Sequence, residues 1–170
     1  LNRPWFRLDE QRRDVQFEQI STYFKDAVIA VEDHRFYYHP GIDPIRLAGA
    51  FVDYVRGKSN RVSATSTITQ QLMRNVFLPQ FEGWTFEASR ERLKSRKALE
   101  MWAAFVLTQR ATKDEILEMY LNQIYYGNQS YGVRAAAKTY FGVADLQKLT
   151  LGQMALLAGQ PFLDGPVVFH

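Results

Sequence analysis

Ala98-Leu99-Glu100-Met101-Trp102-Ala103-Ala104-Phe105-Val106-Leu107 is the stretch that says most about the fold, because nine of its ten residues are apolar. It belongs to the longest helical pattern in the chain, over about residues 86–109. That pattern is charged in its first half and apolar in its second. Because the neighbouring segments are also helical in pattern, the sequence predicts an all-α domain.

The segments on both sides of this stretch carry helix signals and no convincing alternation of apolar residues. Asp43-Pro44 is typical of a helix start, because Asp caps free N–H groups and proline suits the first turn. Thr112 with Glu115 has the spacing of a capping box. Further helices are predicted over residues 21–33, 43–57, 66–77, 133–141 and 150–158, and the helix that opens at Thr112 is predicted to carry Ile116 and Tyr120.

Length and composition limit the class of protein. A chain of 170 residues with 46% apolar residues can form one domain with a core, and we expect a single domain over 1–170. The net charge of +3 is too small to predict a nucleic-acid partner. The absence of cysteine excludes disulfides, thiolate metal sites and a cysteine nucleophile. No apolar run is long enough to span a membrane.

Glu100 is the most informative polar residue, because burying a bare carboxylate in an apolar run is costly. It must be paired, hydrogen-bonded or facing a wet cleft. Arg92, Arg96 and Glu100 are spaced by four and share one helix face. This pattern suits a phosphorylated substrate. Two alternatives to a substrate site are a structural ion pair at Glu100 and a row of charged side chains in contact with solvent.

Glu32 and Asp33 follow the apolar run 27–31, at the end of a predicted helix. Acids there oppose the helix dipole, so local stability does not explain them. A turn-rich connection with satisfied polar groups is the simpler alternative. A metal site is a weaker one, because His34 and His39 are five residues apart.

A third polar segment, Ser63-Ala64-Thr65-Ser66-Thr67-Ile68-Thr69-Gln70-Gln71, is rich in hydroxyl and amide side chains. Some of these must cap a helix. A helix start of this composition can also bind an anion or a sugar, and Arg74 lies one turn further along.

These segments and two later ones resemble, in order, the five signatures of the peptidoglycan glycosyltransferases of glycosyltransferase family 51. That family includes the transglycosylase domains of bifunctional penicillin-binding proteins and the monofunctional transglycosylases. The segments are Glu32-Asp33-x-x-Phe36-x-x-His39-x-Gly41-x-Asp43, Ser66-Thr67-Ile68-Thr69-Gln70-Gln71, Arg96-Lys97-x-x-Glu100, Lys113-x-x-Ile116-Leu117-x-x-Tyr120-Leu121-Asn122 and Gly132-x-x-Ala135-Ala136-x-x-Tyr140-Phe141-Gly142. Glycine usually precedes the second signature, where Ala64 and Thr65 stand here.

The resemblance implies a lysozyme-like, all-α domain that polymerises lipid II into β-1,4-linked glycan strands with inversion at the anomeric carbon. The expected partners are lipid II, the growing glycan chain, the membrane surface and cell-wall synthesis proteins, with no nucleic acid. We expect action at the outer face of the bacterial cytoplasmic membrane, with the membrane anchor and any transpeptidase domain outside this chain. Moenomycin is the family's inhibitor.

The resemblance also assigns roles to residues. Glu32 is predicted to be the general base, and Glu100 to position cations or hold a divalent ion, Mg²⁺ or Mn²⁺. No cofactor is required, because the lipid carrier is the activating group. Lys113, Tyr120 and Asn122 are expected to be scaffold or cleft wall. The predicted substrate-binding residues are Asp33, Phe36, Ser66, Thr67, Gln70, Gln71, Arg74, Arg92, Arg96 and Lys97.

Two other functions share some of these features. A lysozyme-type glycoside hydrolase would also use two carboxylates, although a water acceptor needs no cationic stripe. A catalytically silent domain that binds the lipid-linked precursor or a partner is the second.

An aromatic-rich segment between the second and third signatures is predicted to contact the membrane, because aromatic side chains favour its interface. Packing into the core is the alternative. The residues concerned are Phe77, Leu78, Phe81, Trp84 and Phe86.

Overall fold

The computed structural model describes residues 15–57, 66–76 and 90–160 and, within the last range, the side chains from Arg96 onward. These ranges contain helices and no strand, apart from one isolated bridge between Tyr125 and Tyr131. The predicted all-α, lysozyme-like fold class is therefore confirmed. The helices are α1 (Thr22–Glu32), α2 (Pro44–Val55), α3 (Ile68–Val76), α4 (Arg90–Thr108), α5 (Lys113–Gln123), α6 (Val133–Phe141) and α7 (Leu151–Gly159).

The helices begin where the sequence places their caps. The Asp43 carboxylate accepts the N–H groups of Ile45 and Arg46 at 3.0 Å, and so satisfies two free donors at the start of α2. Thr112 and Thr150 open α5 and α7 with complete capping boxes. These local bonds explain why the predicted boundaries of α2, α5 and α7 agree with the structure.

The core lies around α5, which packs against α3, while α1 packs against α7. Each large apolar side chain removed from water contributes roughly 1.5–3 kcal/mol, so this cluster supplies most of the driving force for folding. It includes residues of α1, α3 and α5. Its largest fully buried members include Phe24, Phe36, Ile68, Leu72, Ile116, Leu117, Tyr120, Leu121 and Tyr126.

Two helices expose apolar side chains that their sequences would place in a core. Helix α2 buries none of its residues, although Ile45, Phe51 and Val55 recur at helical spacing. Helix α4 buries Ala104 and the charged Glu100, while Trp102 is 64% exposed. The apolar pattern therefore identifies both helices correctly but does not identify which face is covered.

The start of the described chain is tied to the end of α5 by the buried amide of Asn122. Its Oδ1 accepts the N–H of Val15 at 2.8 Å, and its Nδ2 donates to the carbonyl of Val15 at 2.8 Å. Asn122 is therefore a structural residue, in agreement with its predicted scaffold role. Within the described ranges, no helix has both the length and the apolar character needed to cross a bilayer.

Candidate active site

Glu32 is the last residue of α1 and is 7% exposed. Its Oε2 accepts a hydrogen bond of 2.7 Å from Nε2 of Gln71, while Oε1 has no partner in the described part of the chain. Burial raises the pKa of Glu32, and the Gln71 bond and the charge of Arg46 partly oppose that rise. A carboxylate with one free oxygen and a raised pKa suits a general base.

Asp33 is fully buried beside Glu32 and does not offer its carboxylate to solvent. Both of its oxygens lie 3.0 Å from Nε2 of His39, and Oδ2 also accepts the N–H of Ile68 at 3.1 Å. Because Ile68 is the first residue of α3, this bond joins the end of α1 to the start of α3. In this structure Asp33 acts on the site by holding α3.

Phe36 lies in the hydrophobic core with no exposed surface, so it offers no face to a ligand in this structure. Its ring meets that of His39 edge to face, with 6.4 Å between the centroids. The ammonium group of Lys113 lies 4.4 Å from the centre of the Phe36 ring. Burial lowers the pKa of Lys113, and the charge of Asp33 opposes that change. Phe36 therefore supports the turn after Glu32.

Gly41 and Thr67 join the first and second predicted signatures. The hydroxyl of Thr67 donates to the carbonyl of Gly41 at 2.6 Å, and Thr67 is fully buried. Gly41 has a φ of +86°, and a side chain there would overlap the backbone carbonyl of Ala104 in α4. This close approach of backbones brings the Glu32 segment against α4.

The buried carboxylate of Glu100 holds two cations on α4. Its Oε2 lies 3.3 Å from Nζ of Lys97, and its Oε1 lies 3.6 Å from Nε of Arg96. Lys97 also donates to Oγ of Ser66 at 2.9 Å and to Oε1 of Gln70 at 3.2 Å. Burial lowers the pKa of Lys97, although the charge of Glu100 acts in the opposite direction. The sequence suggested either a structural ion pair at Glu100 or a carboxylate that positions cations. The contacts with Arg96 and Lys97 fit both descriptions.

Helix α3 connects these two centres through adjacent residues. Gln71 bonds the carboxylate of Glu32, while Gln70 bonds the ammonium group of Lys97. Arg74 is exposed in the last turn of α3, and its charge acts on both Glu32 and Lys97. The side chain of Arg92 lies outside the described residues. The structure thus groups Asp33, Ser66, Thr67, Gln70, Gln71 and Lys97 around the start of α3, with Glu32 and Glu100 bonded to members of this group.

Comparison with known proteins gives the family. The chain matches the transglycosylase family model over residues 3–165. It belongs to the transglycosylase family. The predicted recognition of the family is therefore confirmed.

The curated relatives of this transglycosylase are much longer proteins. It is 43% identical to penicillin-binding protein 1A/1B of Bacillus subtilis over 152 residues, which are 89% of this chain and 15% of the relative. It is 44% identical to penicillin-binding protein 1A of Escherichia coli over 154 residues, which are 90% of this chain and 17% of the relative. The chain thus spans about a sixth of the length of these two relatives.

Two contacts of the transglycosylase site were not predicted: those of Arg46, which the sequence did not single out, and that of Tyr120 with Gln71, although Tyr120 was expected to be scaffold or cleft wall. Nη1 of Arg46 donates to the carbonyls of Glu32 and Ser66, at 3.1 and 3.3 Å. Arg46 lies in the first turn of α2, where a cation opposes the helix dipole. This unfavourable position could have marked Arg46 in the sequence as a residue with a specific contact. Tyr120 donates its hydroxyl to Oε1 of Gln71 at 3.1 Å, a contact between distant helices that no local pattern indicates.

A metal site near Glu100 remains a prediction. Both Glu100 oxygens face cations, Arg96 and Lys97. Within the described residues, no group of three His, Asp or Glu side chains is arranged to hold a metal ion.

Gly41→Ala should destabilise the transglycosylase domain by roughly 2–4 kcal/mol, because it adds left-handed strain to the overlap with Ala104. Gly49→Ala in α2 is the matched control, because nothing lies within 4 Å of its added methyl group. It should leave stability unchanged or raise it by about 0.5–1 kcal/mol. Urea unfolding of both variants is the measurement. Equal stability of the two would show that the approach of the Gly41 turn to α4 is not tight.

Proposed function

We propose that this domain polymerises lipid II, joining the growing glycan strand to the 4-hydroxyl of the acceptor's N-acetylglucosamine and releasing undecaprenyl pyrophosphate. The observation that carries the proposal is the arrangement around the start of α3. A buried carboxylate with one free oxygen, Glu32, lies on one side. A buried carboxylate that holds two cations, Glu100, lies on the other. The first suits proton removal, and the second suits a pyrophosphate leaving group.

Proton removal falls to Glu32. A sugar hydroxyl is a weak nucleophile, so a carboxylate must take its proton as the new bond forms. Oε2 of Glu32 accepts the bond from Gln71, so we assign the proton to Oε1, which is buried and has no hydrogen-bond partner among the described residues. Attack on the face opposite the pyrophosphate inverts the anomeric carbon and gives the β-1,4 linkage.

Stabilisation of the leaving group falls to the cations beside Glu100. The pyrophosphate gains negative charge as it departs, so cations placed there bind the transition state more strongly than the ground state. Arg96 is half exposed and Lys97 one-third exposed, so both are available to an anion. Arg74 and Arg92 are proposed to belong to the same group, with hydrogen bonds from Ser66 and Gln70. Thr67 is buried, and its N–H donates to Oε1 of Gln70, the atom that also accepts from Lys97.

The substrate's lipid tail requires contact with a membrane, which we place at the outer face of the cytoplasmic membrane. The exposed apolar side chains of α2, such as Phe51 and Val55, are proposed to enter its interface. The aromatic segment predicted for this role from the sequence lies outside the described residues.

Phe51→Ser with Val55→Ser should reduce co-sedimentation with anionic liposomes several-fold. Unchanged co-sedimentation would place the membrane contact elsewhere.

The anchor, a transpeptidase domain and contacts with other cell-wall synthesis proteins are proposed to belong to the parent protein outside this chain. No cofactor is required by the proposed reaction. A divalent ion, Mg²⁺ or Mn²⁺, would act on the pyrophosphate near Glu100. Turnover in the presence of a chelator tests this point.

Glu32→Gln should abolish polymerisation, with a loss of about 10² to 10⁴ in kcat, because the amide cannot accept the proton. Lipid II binding and thermal stability should remain close to those of the wild type. Polymerisation of labelled lipid II, with gel separation of the glycan strands, is the measurement. Retention of more than half of the wild-type turnover would contradict the role of Glu32. Release of short sugars from preformed glycan would instead favour the hydrolase alternative.

Arg96→Ala should weaken binding of the pyrophosphate lipid and of moenomycin, whose phosphate would lie against the same cations. Well-aligned charge-assisted bonds are worth roughly 1.5–3 kcal/mol, so affinity should fall by about ten-fold or more. Lys148→Ala is the control, because Lys148 is exposed and pairs only loosely with Asp145, at 3.9 Å. Equal affinities of the two variants for moenomycin would mean that Arg96 belongs to a solvent-exposed row of charged side chains and does not bind the phosphate.

A further inference from the structure

Tyr120 reaches from the core to the proposed general base through one intermediate side chain. Its hydroxyl donates to Oε1 of Gln71 at 3.1 Å, and Nε2 of Gln71 donates to Oε2 of Glu32 at 2.7 Å. The two ends of a glutamine amide differ, because the oxygen only accepts and the nitrogen only donates. A hydroxyl that donates to the oxygen therefore leaves the nitrogen directed at the carboxylate.

We propose that Tyr120 is a positioning residue for the general base, and that its hydroxyl holds the Gln71 amide with its donor end toward Glu32. This inference rests on the proposed function of Glu32. The consequence is a division between the two carboxylate oxygens. Oε2 is engaged by Gln71, and Oε1 is the oxygen left to receive the proton of the acceptor hydroxyl.

The position of Tyr120 suits it to this task. It lies on α5, the central helix of the core, and its side chain is 1% exposed. Its neighbours Ile116, Leu117 and Leu121 are fully buried in the same cluster. A side chain packed in this way has little rotamer freedom, so its hydroxyl is a fixed point for Gln71, which is only half-buried.

The groups around Glu32 determine how removal of the Tyr120 hydroxyl changes the pKa of Glu32. The Gln71 donor favours the ionised carboxylate, so its misorientation raises the pKa of Glu32 further. The acid limb of the pH–rate profile then moves to higher pH. The charged groups that act on Glu32 are Arg46 of α2, Asp33 at the end of α1 and Arg74 of α3. The charge of Glu32 in turn raises the pKa of Tyr120 of α5 and of Tyr126 after α5, in addition to the effect of burial.

The test is the pH dependence of kcat/KM for lipid II polymerisation, which reports groups of the free enzyme. In Tyr120→Phe the acid limb should move upward by about 0.5 pH unit, with kcat at neutral pH reduced roughly 3- to 10-fold and KM unchanged. Tyr126→Phe is the matched control. It removes an equally buried hydroxyl near Glu32 that has no hydrogen-bond partner among the described residues, and its acid limb should not move.

A double-mutant cycle with Gln71→Ala separates positioning from a structural role. If Tyr120 acts through Gln71, adding Tyr120→Phe to Gln71→Ala should produce no further shift of the acid limb. An unmoved acid limb in Tyr120→Phe, an equal shift in Tyr126→Phe, or additive shifts in the cycle would each overturn the proposal.

Two further measurements keep the result interpretable. If Tyr120→Phe does not fold, as judged by thermal unfolding, Tyr120 is replaced by an ortho-fluorinated tyrosine. That residue keeps the ring and is a stronger donor, so the acid limb should move to lower pH; no movement would overturn the proposal. The wild-type chain is assayed first, because its failure to polymerise lipid II would overturn the proposed function rather than the role of Tyr120.

Discussion

The site depends on the hydrogen bond that the buried carboxylate of Asp33 accepts from the N–H of Ile68. This bond satisfies a free donor at the start of α3 and joins it directly to the end of α1. The next residues of α3 then have fixed directions, and Gln70 and Gln71 reach two different centres. Asp33 is in turn held by His39, and Thr67 is held by the Gly41 carbonyl. Hydrogen bonds between side chains and backbone groups therefore fix the directions of Gln70 and Gln71.

Glu32 and Glu100 are both buried, and their contacts with cations distinguish the roles proposed for them. Among the described residues no cation contacts the carboxylate oxygens of Glu32, and burial raises its pKa, as its proposed role as a base requires. Glu100 is as deeply buried but is paired with Lys97 and Arg96, so it serves to hold positive charge. The proposed reaction needs both functions, because a proton must leave the acceptor while negative charge collects on the leaving group.

The sequence predicts those features that depend on neighbouring residues. The caps at Asp43, Thr112 and Thr150 and the two unexplained carboxylates, Glu32 and Glu100, are local signals, and each corresponds to a feature of the structure. The contacts of Arg46 and Tyr120 were missed, because they join elements far apart in the chain. Likewise, the apolar periodicity of α2 predicts a helix, but its exposure depends on what packs against it.

The central claim is that adjacent residues of α3 serve separate centres, and comparing Gln71→Ala with Gln70→Ala tests it most directly. The pH dependence of lipid II polymerisation and the affinity for moenomycin are measured for both variants. We expect Gln71→Ala to move the acid limb to higher pH with unchanged moenomycin affinity, because of the two glutamines it is Gln71 that bonds the Glu32 carboxylate. We expect Gln70→Ala to weaken moenomycin binding without moving the acid limb, because Gln70 bonds Lys97. Identical effects of the two variants on both measurements would contradict the separation.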